Sequence, residues 1–216
     1  KLTGAKDAVK QYTEENADFH QIVADMANIP RKQAKTINLG LSYGMGKEKL
    51  IKELGLDNTE AENLFQQYHA KVPFIRALQD QCARVAMERG YIKTFKGRRC
   101  RFNLWESRYE RTLPLPLKEA KEKYGDDLKR SYTYKALNRL IQGSAADMTK
   151  LAMIGLWEEG IIPHLQVHDE VDISIENIEQ ANKVIQIMEN CVELDVPLLV
   201  DQELGASWGE TKEIKT

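Results

Sequence analysis

Ile162-Pro-His-Leu-Gln-Val-His-Asp-Glu-Val-Asp-Ile-Ser-Ile175 is the stretch that decides the fold class. Its two apolar, β-branched runs, Ile162 to Val167 and Val171 to Ile175, flank His168-Asp169-Glu170, so it reads as a hairpin with those three polar residues at its tip. A long helix is expected just upstream, from about Tyr132 to Glu159 and closed by Gly160. Downstream, an amphipathic helix from Ile178 to Cys191 and a strand from Leu198 to Glu203 finish the chain. Helical elements come first and sheet-bearing ones last, which predicts α+β: a mainly helical region followed by part of an antiparallel sheet with packed helices.

Further upstream the helical signals are local. Residues 1 to 29 read as helical pieces, with Phe19, Ile22, Val23 and Met26 lining one face. Pro30 suits the first turn of a helix that runs from Arg31 to Tyr43 and stops at Gly44 and Gly46. A short helix follows from Lys47 to Leu54. Thr59 with Glu62 gives a capping-box spacing for a helix to about Lys71, and Pro73 opens another that Gly90 closes after Arg89. Tyr91 to Phe95, Lys96-Gly97 and Arg98 to Phe102 predict a hairpin. Residues 103 to 131, with Leu113-Pro-Leu-Pro116, read as an irregular surface excursion. The expected organisation is a helical region over 1–90, a hairpin and irregular insertion over 91–131, and a sheet-bearing region over 132–216.

With 216 residues, 42% of them hydrophobic and 30% charged, the chain suits one or two compact domains. No apolar run approaches the ~20 residues of a membrane span, and no basic-then-apolar leader opens it, so neither a membrane nor a secreted protein is expected. Cys82, Cys100 and Cys191 show no CxxC spacing, which argues against a disulfide framework or zinc site and suits a reducing compartment. Lys1 in place of methionine suggests a piece of something longer. The net charge of -2 taken alone speaks against a nucleic-acid partner. Its distribution is uneven: Arg89, Lys93, Lys96, Arg98, Arg99 and Arg101 form a basic band without an acid, whereas nine carboxylates face one lysine between Glu170 and Glu203. Such a chain could hold polyanion on one face and a divalent cation on the other, although two solvated faces give the same pattern.

Three groups of residues could carry chemistry. Arg31, Lys35, Leu39 and Tyr43 recur every four residues and share one helical stripe, in which two cations could clamp a triphosphate while the tyrosine meets a base or sugar. An amphipathic helix with a solvated basic turn has the same spacing. Asp169 and Glu170 on a tight turn repel one another unless a cation is present, which makes a divalent metal site plausible; a surface turn is the alternative. Asn138 and Gln142, one turn apart, carry amides able to meet minor-groove acceptors, or equally to satisfy buried backbone.

Arg31-Lys-Gln-Ala-Lys-Thr-Ile-Asn-Leu-Gly-Leu-Ser-Tyr-Gly44 resembles motif B of the family A DNA polymerases, the bacterial polymerase I type that many phages also carry, and Gln166-Val-His-Asp-Glu170 resembles their motif C. Gly97-Arg-Arg99, Asn138-Arg-Leu-Ile-Gln-Gly-Ser-Ala-Ala-Asp147 and Glu189-Asn-Cys-Val-Glu-Leu-Asp-Val-Pro-Leu-Leu-Val200 fall between and after them in the family's order, so the similarity covers nearly the whole chain. The resemblance implies fingers over 1–90, the C-terminal part of the palm over 132–216, and template-directed transfer of nucleotides from deoxynucleoside triphosphates (dNTPs) to a primer 3′-hydroxyl. It implies that Arg31 and Lys35 grip the phosphates, that Lys35 can protonate departing pyrophosphate, and that Tyr43 controls entry of the templating base. Asn138, Gln142, Arg98 and Arg99 would contact primer-template DNA, and His168 would lie at the primer end. Asp169 would be one of two carboxylates holding catalytic Mg2+, two ions in the complete enzyme, with Glu170 supporting. No Asp-Tyr-Ser-type motif A occurs, so the resemblance also implies an upstream half with the thumb and the rest of the palm as partner, and inactivity of this chain alone. Leu39 stands where Phe or Tyr is usual, a variation of some phage enzymes that implies altered discrimination at the sugar. Tyr134 stands where a cation is common, and 103–131 is longer than the polymerase I pattern. A single-subunit RNA polymerase relative, whose motif C tends to continue with Ser where this chain has Glu170, and a non-catalytic DNA- or nucleotide-binding remnant are the competing readings. The expected location is the cytoplasm of a bacterial or phage-infected host cell.

Overall fold

A computed structural model describes residues 9, 10, 13, 18–71 and 73–213. The helical pieces expected before Asp18 therefore lie largely outside the described residues. The chain divides into two compact units, Lys1–Ile141 and Gln142–Thr216.

The first unit opens with α1 (Phe19–Ala27), whose N-cap Asp18 accepts from the amides of His20 and Gln21 and so satisfies two donors that the first turn leaves open. α2 (Arg31–Ser42), α3 (Lys47–Leu54), α4 (Asn58–Lys71) and α5 (Pro73–Arg89) follow within a residue or two of their sequence bounds. Val23 and Ala24 of α1, Ala34, Ile37 and Leu41 of α2, Leu50 of α3, and Leu64 and Tyr68 of α4 form one buried cluster. Each fully buried Val, Leu or Ile side chain there contributes roughly 1.5–3 kcal/mol. The start of α4 corrects the sequence reading. Asp57 is the cap, its Oδ1 accepting from the amides of Thr59 and Glu60 while Glu60 Oε2 accepts from the Asp57 amide, so the capping box is Asp57–Glu60 and not Thr59–Glu62. Glu62 instead pairs with Lys47 at 2.9 Å.

Gly90 closes α5 at φ +75 and leads into β1 (Tyr91–Lys93), which pairs antiparallel with β2 (Arg99–Arg101) across a turn where Gly97 has φ +87. A second cluster lies behind this hairpin: Cys82 and Ala86 of α5, Ile92, Phe102, Ala136 and Leu137.

Residues 103 to 131 are not irregular. β3 (Leu104–Ser107) is the centre of a three-stranded antiparallel sheet with β4 (Leu115–Pro116) and β5 (Leu128–Arg130), and α6 (Leu117–Tyr124) stands between the outer strands in sequence. The helix begins after Pro116, buries Ala120 and ends at Gly125. Arg130 anchors this small module. Its guanidinium stacks on Trp105, its partner across the strands, at 4.4 Å and donates to the carbonyls of Met87 and Phe102. A Cβ on Gly90 would lie 2.7 Å from the Arg130 Cζ, so this position needs glycine for space as well as for its backbone angle.

A 3-10 turn, Thr133–Lys135, precedes the long helix α7 (Ala136–Glu158), which starts four residues later than the sequence suggests and runs through the boundary between the units. In the second unit, Ala152 and Leu156 of α7, Ile161, and Ala181 of α8 (Ile178–Glu189) are buried. Gly155 approaches α8 so closely that a Cβ would sit 2.9 Å from Ile187 Cγ2, and Lys183 pairs with Glu159 at 2.6 Å. The expected hairpin is β6 (Leu165–Val167) against β7 (Glu170–Asp172). It is more open than its apolar sequence suggests, with Leu165 44% exposed. The strand expected over Leu198 to Glu203 is realised only at its last residue: β8 (Glu203–Leu204) pairs with β9 (Lys212–Glu213), and Leu199 is exposed. Helices first and small antiparallel sheets later make the chain α+β, as the sequence order requires. Cys82, Cys100 and Cys191 are free thiols, and burial pushes those of Cys82 and Cys191 up. No helix among the described residues is long and apolar enough to cross a membrane.

Candidate functional site

The four-residue period of α2 puts Ala34, Ile37, Asn38 and Leu41 in the core and turns Arg31, Lys35 and Leu39 to solvent. Tyr43 ends the stripe as C-cap, half-buried, its amide donating to the carbonyls of Leu39 and Gly40. The structure therefore brings these four expected residues together along one face. Arg31 is engaged: its Nε donates to Asp18 Oδ2 at 2.6 Å, and the Arg31 guanidinium holds the Asp18 carboxyl below the usual carboxylate range. Both partners are well exposed, so the pair orients Arg31 more than it stabilises the fold.

Behind the stripe runs a polar network that the sequence did not disclose. Tyr68 Oη donates to Asn38 Oδ1 at 3.0 Å and is shared with Ser42 Oγ at 2.9 Å, while Asn38 Nδ2 meets His20 Nδ1 at 2.9 Å. Gln79 Nε2 on α5 donates to the carbonyls of Leu41 and Ser42, two of the acceptors the end of α2 leaves open. Three helices thus hold the back of α2 through its polar groups, which fixes its rotation more sharply than apolar contacts do. Burial pushes the Tyr68 phenol up, against a smaller opposing effect of Ser42. Next to it His69 is pushed down by burial and by Arg76, and its Nδ1 is buried without a partner among the described residues.

Arg98 and Arg99 lie on the β1–β2 hairpin, exposed, with Arg99 stacked on Tyr91 at 4.8 Å. Backbone bonds between Thr94 and Arg98 and from Gly97 to Thr94 close the turn that presents them. Asn138 and Gln142 are one turn apart on α7, the first half-buried and the second exposed.

His168, Asp169 and Glu170 are exposed in the second unit. Val167 pairs with Glu170, so His168 and Asp169 alone form the turn, with His168 at φ +55, and Glu170 is the first residue of β7 and not part of the tip. Gln166 Nε2 donates to the His168 carbonyl, and Trp208 Nε1 donates to Glu170 Oε1 at 2.9 Å. Among the described residues no three His, Cys, Asp or Glu side chains converge to hold a metal ion. Asp169 and Glu170 therefore supply carboxylates without completing a site.

The sequence reading missed Asp18, His20, Asn38, Tyr68 and Trp208. Asp18 had a signal, a carboxylate just before an apolar helical period; the others depend on contacts between distant segments.

The sequence profile described as DNA polymerase family A matches residues 2–210. The chain is 37% identical to a DNA-directed DNA polymerase of Pseudomonas phage M6, over 94% of this chain and 32% of that one. It is 32% identical to the thermostable DNA polymerase I of Thermus aquaticus, over 98% of this chain and 25% of that one. Among solved structures it superimposes with a TM-score of 0.70 and 27% identity on the POL domain of Pol1 from M. smegmatis in complex with DNA primer-template and dNTP, covering 91% of this chain and 35% of that one. The chain thus spans about a third or less of the relatives it matches.

Proposed function

The chain belongs to DNA polymerase family A, and from that premise we propose that it is the nucleotide-binding and acidic-turn portion of a template-directed DNA polymerase. The observation that carries the reading is the α2 stripe: Arg31, Lys35 and Leu39 are exposed along one face that half-buried Tyr43 ends, while Asn38, Ser42 and Leu41 are bonded from behind. A helix so held can present a guanidinium and an ammonium to a triphosphate without reorganising when it binds, which is where electrostatic catalysis gains most. Arg31 exchanges Asp18 for a phosphate, a substitution of one charge-assisted partner for another. Lys35, one turn on, neutralises phosphate charge and gives a proton to the departing pyrophosphate. Tyr43 stands at the templating base. Arg98, Arg99, Asn138 and Gln142 hold primer-template, and His168 the primer end.

The resemblance to family A supports 1–90 as fingers and 132–216 as the C-terminal part of the palm. Nucleotidyl transfer in the complete enzyme depends on two magnesium ions, and this chain contributes Asp169, with Glu170 beside it, toward a site its described residues do not fill. The chain by itself is inactive for that reason, and its partners are the rest of the polymerase, primer-template and dNTP.

The test is primer extension with magnesium by two proteins: this 216-residue chain, and a longer polypeptide that adds the parts its relatives carry. Deoxynucleotide incorporation by the longer protein alone, lost in Asp169→Asn and Lys35→Ala, is the expected result. Extension by the short chain free of contaminating enzyme overturns the inactivity of the fragment. Preference for ribonucleotides, or binding of DNA without extension by the longer protein, overturns the DNA polymerase reading.

A further inference from the structure

Residues 203–213 of the second unit fold back on the acidic turn. Between β8 and β9 a 3-10 turn, Trp208–Glu210, carries the indole that donates to Glu170 Oε1 at 2.9 Å, a contact between residues 38 apart in sequence. The surrounding bonds show how this place is built. Gly205 lies against the Glu210 backbone, where a Cβ would be 2.5 Å from the carbonyl oxygen, so only glycine lets the two arms of the hairpin close here. The Glu210 amide donates to the Ser207 carbonyl at 2.9 Å, Ser207 Oγ donates to Glu210 Oε2 at 3.1 Å, and Thr211 Oγ1 donates to Glu203 Oε2 at 2.7 Å. Opposite, Gln166 braces the His168 carbonyl, and Val167–Glu170 pairing closes the two-residue turn. The Trp208 ring is 61% exposed, so burial of the ring does not account for its position.

We propose that Trp208 is a positioning residue for the acidic turn, holding the Glu170 carboxylate through Oε1 and leaving Oε2 to act beside Asp169. The inference rests on the reading of Glu170 as a supporting group in nucleotidyl transfer. Adjacent carboxylates repel, and a neutral N–H donor on one of them draws its charge toward the indole without adding a cation that would compete for the site. It also removes rotamer freedom from a glutamate that exposure would otherwise leave mobile. Through this contact the C-terminal hairpin becomes part of the site's support.

Two measurements test the proposal. In the 216-residue chain labelled with 15N at the indoles, Trp208 gives one of three tryptophan N–H signals and is assigned by its loss in Trp208→Phe. Glu170→Ala is expected to move that signal toward the position of a water-exposed indole and to leave the signals of Trp105 and Trp157 in place. In the longer polymerase, Trp208→Phe is expected to slow single-turnover incorporation about tenfold with dNTP and primer-template affinities unchanged, the loss of one charge-assisted bond. Trp208→Phe added to Glu170→Ala should cost nothing further, because both remove the same contact. A Trp208 signal that ignores Glu170→Ala overturns the contact and leaves the polymerase reading standing. A full tenfold loss on top of Glu170→Ala overturns the route through Glu170. A shifted signal with a parental rate for Glu170→Ala overturns the role given to Glu170, and the positioning function with it.

Discussion

Tyr68→Phe isolates the hydroxyl at the centre of the network behind α2. The ring stays, so the aromatic packing against the Val23–Leu64 cluster is kept and no cavity opens. What disappears is the donor to Asn38 Oδ1, on a residue only 9% exposed, and the partner of Ser42 Oγ. An acceptor left buried without a donor costs about 1–3 kcal/mol. With a urea slope of roughly 1–3 kcal/mol/M, the unfolding midpoint should fall by on the order of 1 M at unchanged slope. Equilibrium urea unfolding followed by circular dichroism reads this directly. Asn38→Leu combined with Tyr68→Phe should lose less than the sum of the single variants, since removing both partners leaves neither orphaned. The phenol adds a pH dependence. Its folded pKa is raised by burial, so the folded state holds the proton more tightly than the unfolded state; the stabilisation is complete below the unfolded value of about 10 and is lost as pH rises through the folded value. Tyr68→Phe should remove that part of the alkaline loss. A midpoint equal to the parent's, with strict additivity in the double variant, would show that the network contributes nothing to the fold.

The sign reverses for His69, whose folded pKa is lowered by burial and by Arg76: its contribution is present above the unfolded value of about 6.5 and is lost as pH falls below it. His69→Gln should flatten the decline in urea midpoint between pH 7 and 5, and an equal decline in both proteins would refute it. Gly90→Ala should lower stability by about 2 kcal/mol or more, combining roughly 1–2 kcal/mol for a side chain at positive φ with displacement of the Arg130 guanidinium; an unchanged melting temperature would contradict the anchoring role of Arg130. Leu39→Tyr in the longer polymerase should raise use of dideoxynucleotides relative to deoxynucleotides by a factor worth about 1 kcal/mol, the value of one hydrogen bond. A ratio of specificity constants equal to the parent's would mean that Leu39 does not face the sugar.

What was legible in the sequence was what neighbours in the chain decide. Gly90 and Pro73 punctuate helices through their own backbone preferences, and the α2 stripe follows from its four-residue period. Competing local signals misled where two shared a spacing: Asp57-Asn-Thr-Glu60 and Thr59-Glu-Ala-Glu62 both fit a capping box, and the carboxylate nearer the preceding turn took the place. Pro114 and Pro116 masked Leu117–Tyr124, although that segment is rich in Lys, Glu and Ala and closed by Gly125. The strand at Leu198 failed because pairing is non-local, and only Glu203 and Leu204 find a partner in Lys212 and Glu213. Non-local contacts also hid half the site: Tyr68 and Asn38 are 30 residues apart, and Trp208 and Glu170 are 38. Neither pair leaves a periodic trace.

The module at 103–131 closes at its root, where Arg130 reaches Met87 and Phe102 and Ser131 Oγ donates to Glu106 Oε2. Its far end, from Arg108 to Leu113, is tied within the module, by the Arg108 amide donating to the Asp127 carbonyl, Tyr124 Oη donating to the Leu113 carbonyl, and the Ser107 and Thr112 hydroxyls accepting nearby amides, and Tyr109 there is 77% exposed. Once the root is fixed, the entropy of closing the chain depends weakly on how much of it lies outside, about 0.6 kcal/mol for each doubling of length. The segment between the hairpin and α7 can therefore lengthen, shorten or accept a foreign peptide at its tip while the helices on either side keep their register. New sequence can accumulate there at little cost to the rest of the fold.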